Sequence, residues 1–156
     1  MEYTDEHIEE LITCPKEVTD PPPKEMKKER GHWKKSFELE SKDGDHRFSA
    51  FIRYNDEFIE NFSVGLIYNP RERRGKIHLL RCNGPHGGTR KFDHHDKPHI
   101  HKAKPEIINQ ELNSETYIEV TDRYASWQEA LQFFIRRVNI KNAAEHFPPP
   151  QSELFD

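Results

Sequence analysis

Residues 33–52 read WKKSFELESKDGDHRFSAFI, and the fold turns on how that stretch is parsed. Phe37 and Leu39 alternate with Ser36, Glu38 and Glu40, the period of a strand buried on one face. Lys42-Asp43-Gly44-Asp45 interrupts them, and Asp-Gly supplies the positive φ that a tight hairpin turn requires. Phe48, Ala50 and Ile52 then share one face of a returning strand. The stretch predicts an antiparallel hairpin.

Working outward, Phe58 to Tyr68 is a third strand with Phe62, Val64 and Leu66 inward, ended by Asn69-Pro70. Gly75 to Cys82 is a fourth. Residues 83–98 carry four Gly or Pro in their first six positions and read as a long loop. His99 to Lys102 and Glu115 to Thr121 are two short strands, the second with Tyr117, Ile118 and Val120. Ser126 and Glu129 form a capping box, and Trp127, Leu131, Phe134, Ile135 and Val138 follow as an apolar stripe. That stripe is the natural cover for a sheet. Upstream, Thr4 caps a short helix with Ile8, Leu11 and Ile12 on one face, ended by Cys14-Pro15. The expected fold is α+β: an antiparallel, meander-like sheet of five or six strands, covered by a C-terminal helix, plus a short N-terminal helix. The expected organisation is an N-terminal helix with a Pro/Lys-rich linker over 1–31, one domain over 32–142, and a disordered Pro-rich tail over 143–156.

The chain has 156 residues, 33% of them apolar and 33% charged. The core is therefore modest. No apolar run approaches the roughly 20 residues of a membrane helix, and the opening Met-Glu-Tyr-Thr-Asp-Glu lacks the pattern of a signal peptide. Cys14 and Cys82 are far apart and read as two reduced thiols of a cytoplasmic protein. Nothing in the chain suggests a membrane partner.

Charge is distributed unevenly. Between Arg71 and Lys104 lie ten Lys/Arg against three acids, so a segment of net +7 sits in a chain of net −4, leaving −11 for the rest. Six of the ten histidines also fall there: His78, His86, His94, His95, His99 and His101. Cation plus imidazole is the composition of a site that meets anions and moves protons. His99-Ile100-His101 puts two imidazoles on one face of a strand. On RNA, one histidine would deprotonate the 2′-hydroxyl, the other would protonate the leaving 5′-oxygen, and Arg81 or Lys102 would neutralise charge on phosphorus. His86 is a lesser candidate for the same set. Arg71, Arg73, Arg74 and Lys76, with Arg90 and Lys91, are candidate nucleic-acid contacts, and Tyr68 and Phe92 are candidate stacking rings. The competing metal reading takes His99, His101 and His86 as ligands, but neighbouring cations oppose a dication there. Set against all of these, loop histidines and charge runs are ordinarily solvated surface. Gly84-Pro85-His86-Gly87-Gly88-Thr89 matches neither a P-loop nor a dinucleotide fingerprint, there is no serine-hydrolase elbow, and no motif calls for a cofactor.

Arg81-Cys82-Asn83-Gly84-x-His86, His99-Ile100-His101, Tyr117 to Thr121-Asp122-Arg123-Tyr124 and the Ala130-Leu131 helix together resemble a family of small prokaryotic proteins of unknown function. Where that family carries His and Asn after its first histidine, this chain has Gly87, Gly88 and Thr89. The order of a His-rich turn, an HxH strand, a tyrosine strand and a closing helix is more loosely similar to small toxins of bacterial toxin–antitoxin modules. The resemblance covers about residues 80–140 and implies a class of function without a reaction. Two functional readings follow. One is an RNA- or phosphate-directed protein, a metal-independent ribonuclease-like toxin working through paired histidines. The other is a non-catalytic binding or regulatory module, antitoxin-like or a phage-encoded inhibitor, engaging a protein partner through its acidic N-terminal helix and Pro-rich tails.

Overall fold

The computed structural model describes residues 2–71, 75–85, 97–109 and 116–147. In chain order the elements are α1 (Asp5–Thr13), β1 (Lys16–Asp20), β2 (Lys27–Glu29), β3 (His32–Ser41), β4 (Arg47–Asn55), β5 (Phe62–Tyr68), β6 (Ile77–Asn83), β7 (His99–Ala103), α2 (Pro105–Asn109), β8 (Thr116–Val120), α3 (Trp127–Val138) and a 3-10 turn (Ala143–Glu145). The fold is α+β, as the sequence predicts. All eight strands join one antiparallel sheet in the order β1-β3-β4-β5-β6-β7-β8, with β2 also paired to β3.

The Asp-Gly hairpin forms as expected: Phe37 pairs with Ala50 and Leu39 with Phe48 across it, and Gly44 takes φ +82°. Two strands lie where the sequence suggested a linker. β1 and β2 both add to the outer edge of β3. Their side chains are mostly polar, so their order comes from pairing rather than from apolar periodicity. The chain end is also part of the core as far as residue 147, because Phe147 is buried and packs on Phe37 at 4.9 Å between ring centroids. The rest of the proposed tail lies outside the described residues.

Register gives the sheet two unlike faces. One carries Phe37, Leu39, Phe48, Ala50, Ile52, Phe62, Val64, Leu66, Leu80, Cys82 and Ile100, all buried. α3 crosses β4, β5 and β6 on this side, and α1 packs against α3 and β6. The capping box of α3 is present, with the Glu129 N–H donating to Ser126 Oγ at 3.1 Å. The N-terminal helix is docked rather than free: Ile8, Leu11 and Ile12 are buried in the core. Its acidic residues Asp5, Glu6 and Glu10 stay exposed on the opposite side. Cys14 and Cys82 are both free thiols, and burial pushes Cys82 up to about 12, which keeps it unreactive.

Glu9 of α1 ties the helices to the sheet. It accepts from Arg137 of α3 at 2.8 and 3.0 Å and from Lys102 of β7 at 2.6 Å. The Arg137 hydrogen bonds, resisted by burial and aided by Lys102, hold its carboxyl at about 2 against an ordinary 4.5. A depressed carboxylate pKa contributes stability that is complete above 4.5 and lost as pH falls toward 2. Glu9 is 41% exposed, so solvent screening cuts the contribution to about 1–2 kcal/mol. Glu9→Gln is expected to lower stability at neutral pH by that amount and to flatten acid destabilisation inside this window. Urea midpoints of wild type and variant, taken above and within it, check this. Parallel pH dependences would show that the pairing contributes nothing.

Candidate functional site

The second face of the sheet has no helix across it among the described residues. It carries Phe51 and Arg53 of β4, Ser63 and Gly65 of β5, Arg81 and Asn83 of β6, His99 and His101 of β7, and, at the edge, Ile118 and Val120 of β8. Small residues on β5 set the local shape. A Cβ on Gly65 would lie 2.4 Å from the Phe51 ring and 3.2 Å from Arg81 Cγ, so the ring and the arginine stem both lean over that glycine. Phe51 is a half-buried aromatic standing in the polar phase of its strand, between Ser49 and Arg53.

The paired histidines share this face, as the spacing predicts, with ring centroids 4.9 Å apart at 71°. Arg81 is the direct cross-strand partner of His101, close enough for side chains to meet. The two histidines are not equivalent. His99 is fully buried, and its Nδ1 lies 2.8 Å from the Lys97 carbonyl oxygen. A carbonyl only accepts, so Nδ1 carries the proton. Beside His99 a buried polar row continues, with Asn83 as its partner on β6 and Ser63 Oγ donating to Asn83 Oδ1 at 2.6 Å. His101 is half-buried, with Nδ1 2.7 Å from Thr116 Oγ1.

One further cation, Arg53, acts on Arg81 from the same face. Burial, then repulsion from Arg53, weakens Arg81's hold on its proton. His78 is also pushed below its usual range, first by burial and then by Arg81 and Lys76. Arg53 and His78 are thus the charged and titratable neighbours of Arg81 on this face, and Lys76 reaches only His78.

Several candidates fall elsewhere. Lys102 alternates with His99 and His101, so it projects to the helix side and pairs with Glu9; it cannot act with the histidines on one phosphate. Tyr68 is 4% exposed and contacts His46 Nδ1 through its hydroxyl at 3.2 Å, so it is a core ring and not a stacking platform. Arg71 and Lys76 are exposed at the β5–β6 turn, where Arg71 donates to the Gly44 carbonyl at 3.3 Å. Lys76 stands five residues along the chain from Arg81, roughly 16 Å of strand. His86, Arg73, Arg74, Arg90, Lys91, Phe92, His94 and His95 lie outside the described residues. Among the described residues no three His, Cys, Asp or Glu side chains converge as a metal site would need.

Phe51, Arg53 and Gly65 were not singled out by sequence, and His78 was named only as one histidine of the cationic segment. The available signal was parity: Phe51 is out of phase with Phe48, Ala50 and Ile52. Among the described residues two cavities leave His99, His101 and Arg81 out of their walls. One of about 420 Å³ sits on the helix side, walled by Met26, Lys35, Ile52, Trp127, Leu131 and Phe147. The other, about 600 Å³, is bounded by Lys97, Pro98, Val120, Thr121 and Tyr124.

No helix among the described residues is long and apolar enough to cross a membrane. No protein-family model, curated protein or solved structure matches this chain.

Proposed function

We propose that the part of this sheet face around Phe51, Arg53 and Arg81 binds single-stranded RNA through its bases and phosphates, as a binding module rather than a nuclease. The observation that carries this reading is the Phe51 ring seated over Gly65 between Arg53 and Arg81. A half-buried ring on a sheet face stacks with any base, and flanking guanidiniums take the phosphates on either side.

Cleavage has weaker support. An acid and a base must both reach the same ribose-phosphate. His99 has no exposed surface and is committed to the Lys97 carbonyl. With Lys102 on the opposite face, the set of two imidazoles and two cations reduces to His101 and Arg81. His99 then serves the buried row with Asn83, and holds β7 in place beneath His101.

Fluorescence anisotropy of a labelled single-stranded oligoribonucleotide, without divalent metal, tests the proposal. Wild type is expected to bind with affinity that falls steeply with salt. Arg81→Gln and Phe51→Ala are each expected to weaken binding about tenfold, with circular dichroism unchanged. Absence of binding at low salt sinks the reading. Shortened RNA that depends on His101 would instead restore the nuclease.

A further inference from the structure

One edge of the sheet is closed by its own chain, and the other has no such cover among the described residues. On β1, the Lys16 N–H donates to the Asn139 carbonyl at 2.9 Å and the Lys141 N–H donates to the Lys16 carbonyl at 2.8 Å. Asn142 accepts from the Val18 N–H at 2.8 Å and donates back to the Val18 carbonyl at 3.2 Å. The outward backbone groups of β1 at Lys16 and Val18 are therefore satisfied. β8 has no such cover among the described residues, where its neighbour is β7 alone.

The direction of its free groups can be worked out. The Thr121 N–H donates to the Pro98 carbonyl at 3.0 Å, and hydrogen-bonded pairs alternate along an antiparallel ladder. Glu119 and Tyr117 therefore spend their backbone groups on β7, and parity turns those of Thr116, Ile118 and Val120 outward. The side chains are bare as well: Ile118 is 45% exposed and Val120 50%. Natural sheet edges are normally guarded by lysine, proline or a bulge. β8 has none of these, and its one charge, Glu119, lies on the helix side.

We infer that β8 is a self-association edge, on which two copies of this chain pair antiparallel about a two-fold axis through Ile118. That register joins Ile118 to the partner's Ile118 and Thr116 to the partner's Val120, each such pair exchanging two hydrogen bonds. It satisfies every outward group on both strands at once. On the open face it brings Ile118, Val120 and Thr116 against their counterparts with no charge among them. The edge is self-complementary about Ile118, as an isologous contact requires, and a second copy brings no charge against the row of Thr116, Ile118 and Val120. Five paired residues fall short of the roughly 1,200 Å² of a standard interface, so the dimer depends on concentration. Directly paired residues share a face, so both open faces lie on one side of the joined sheet. The two Arg81 side chains are then five strand spacings apart, about 24 Å.

Sedimentation equilibrium of the nuclease-treated full chain, over a wide concentration range at raised salt, tests this without reference to RNA. Wild type is expected to pass from monomer to dimer. Ile118→Pro removes an N–H that serves no bond to β7, and is expected to stay monomeric with its thermal midpoint nearly unchanged. Val120→Lys guards the edge without touching the backbone and is expected to do the same. A wild type that stays monomeric at hundreds of micromolar, or a dimer that survives either substitution, overturns the inference.

Discussion

Lys16→Met is expected to lower stability at neutral pH by about 3 kcal/mol, shifting the thermal midpoint by about 10 °C. Lys16 has no exposed surface, yet all three protons of its ammonium are used. Nζ donates to the carbonyls of Ile12 at 2.7 Å, Cys14 at 2.9 Å and Val138 at 3.0 Å, and lies 4.8 Å from the centroid of the Phe48 ring. Ile12 and Cys14 close α1 and Val138 closes α3, so one cation caps two helix C-termini that meet at the base of β1. Methionine has the length but no donor. It leaves three buried carbonyls without that partner, at about 2 kcal/mol each. Against this stands the desolvation that the wild-type fold bears. Burial pushes the ammonium down to about 8 from 10.5, a cost of roughly 3 kcal/mol. The orphaned carbonyls win.

The same residue has a pH signature. Its folded pKa lies below the unfolded one, so the unfolded chain holds the extra proton between pH 8 and 10.5. Wild-type stability therefore gains from Lys16 as pH climbs through that window, and Lys16→Met lacks the gain. Thermal unfolding of both proteins at neutral and alkaline pH separates the effects. A variant equal to wild type at neutral pH would mean that the carbonyl network has no net worth.

Lys16 also shows where sequence reading stops. The hairpin of β3 and β4 and the capping box of α3 were legible because their determinants are neighbours in the chain: Asp43-Gly44 for the turn, Ser126 and Glu129 for the cap. β1 and β2 were not, because their warrant is remote. Val18 is held by Asn142, and Lys16 by a carbonyl on a helix more than a hundred residues away. Read locally, Lys16 is one more charge in a polar linker. The candidate site was legible in part. Parity puts His99, His101 and, through the β6–β7 register, Arg81 on one face, and the same parity sends Lys102 to the other. Applied to β4, parity also isolates Phe51 from its apolar neighbours. Parity cannot tell His99 from His101. What distinguishes them is the buried row through Asn83 and Ser63 on two other strands, a product of long-range pairing.

Gly84→Ala is expected to cost about 3 kcal/mol or more, although Gly84 opens a glycine-rich loop that sequence would let drift. The glycine is fixed by close approach. Its N–H donates to the Phe62 carbonyl at 2.9 Å, and a Cβ there would stand 2.2 Å from the Glu60 carbonyl oxygen and 2.5 Å from the Phe62 ring. The first obstacle is backbone, in the turn that joins β4 to β5, and it cannot rotate away as a side chain does. Overpacking of an ordinary core site costs about 1–3 kcal/mol, and a rigid carbonyl in the path puts this site at or beyond the upper end. Gly65→Ala is the internal comparison. There the obstacles are the tip of the Phe51 ring at 2.4 Å and the Arg81 stem at 3.2 Å, both side chains on the open face. The ring can swing outward, so the expected cost is only about 1 kcal/mol, while the seat that holds Phe51 is lost. The two alanines should thus separate stability from binding: Gly84→Ala lowers the denaturation midpoint, and Gly65→Ala weakens RNA binding in a protein that stays folded. Equal denaturation midpoints for the two variants would mean that the β4–β5 turn retreats freely, and that close approach is not what Gly84 is for.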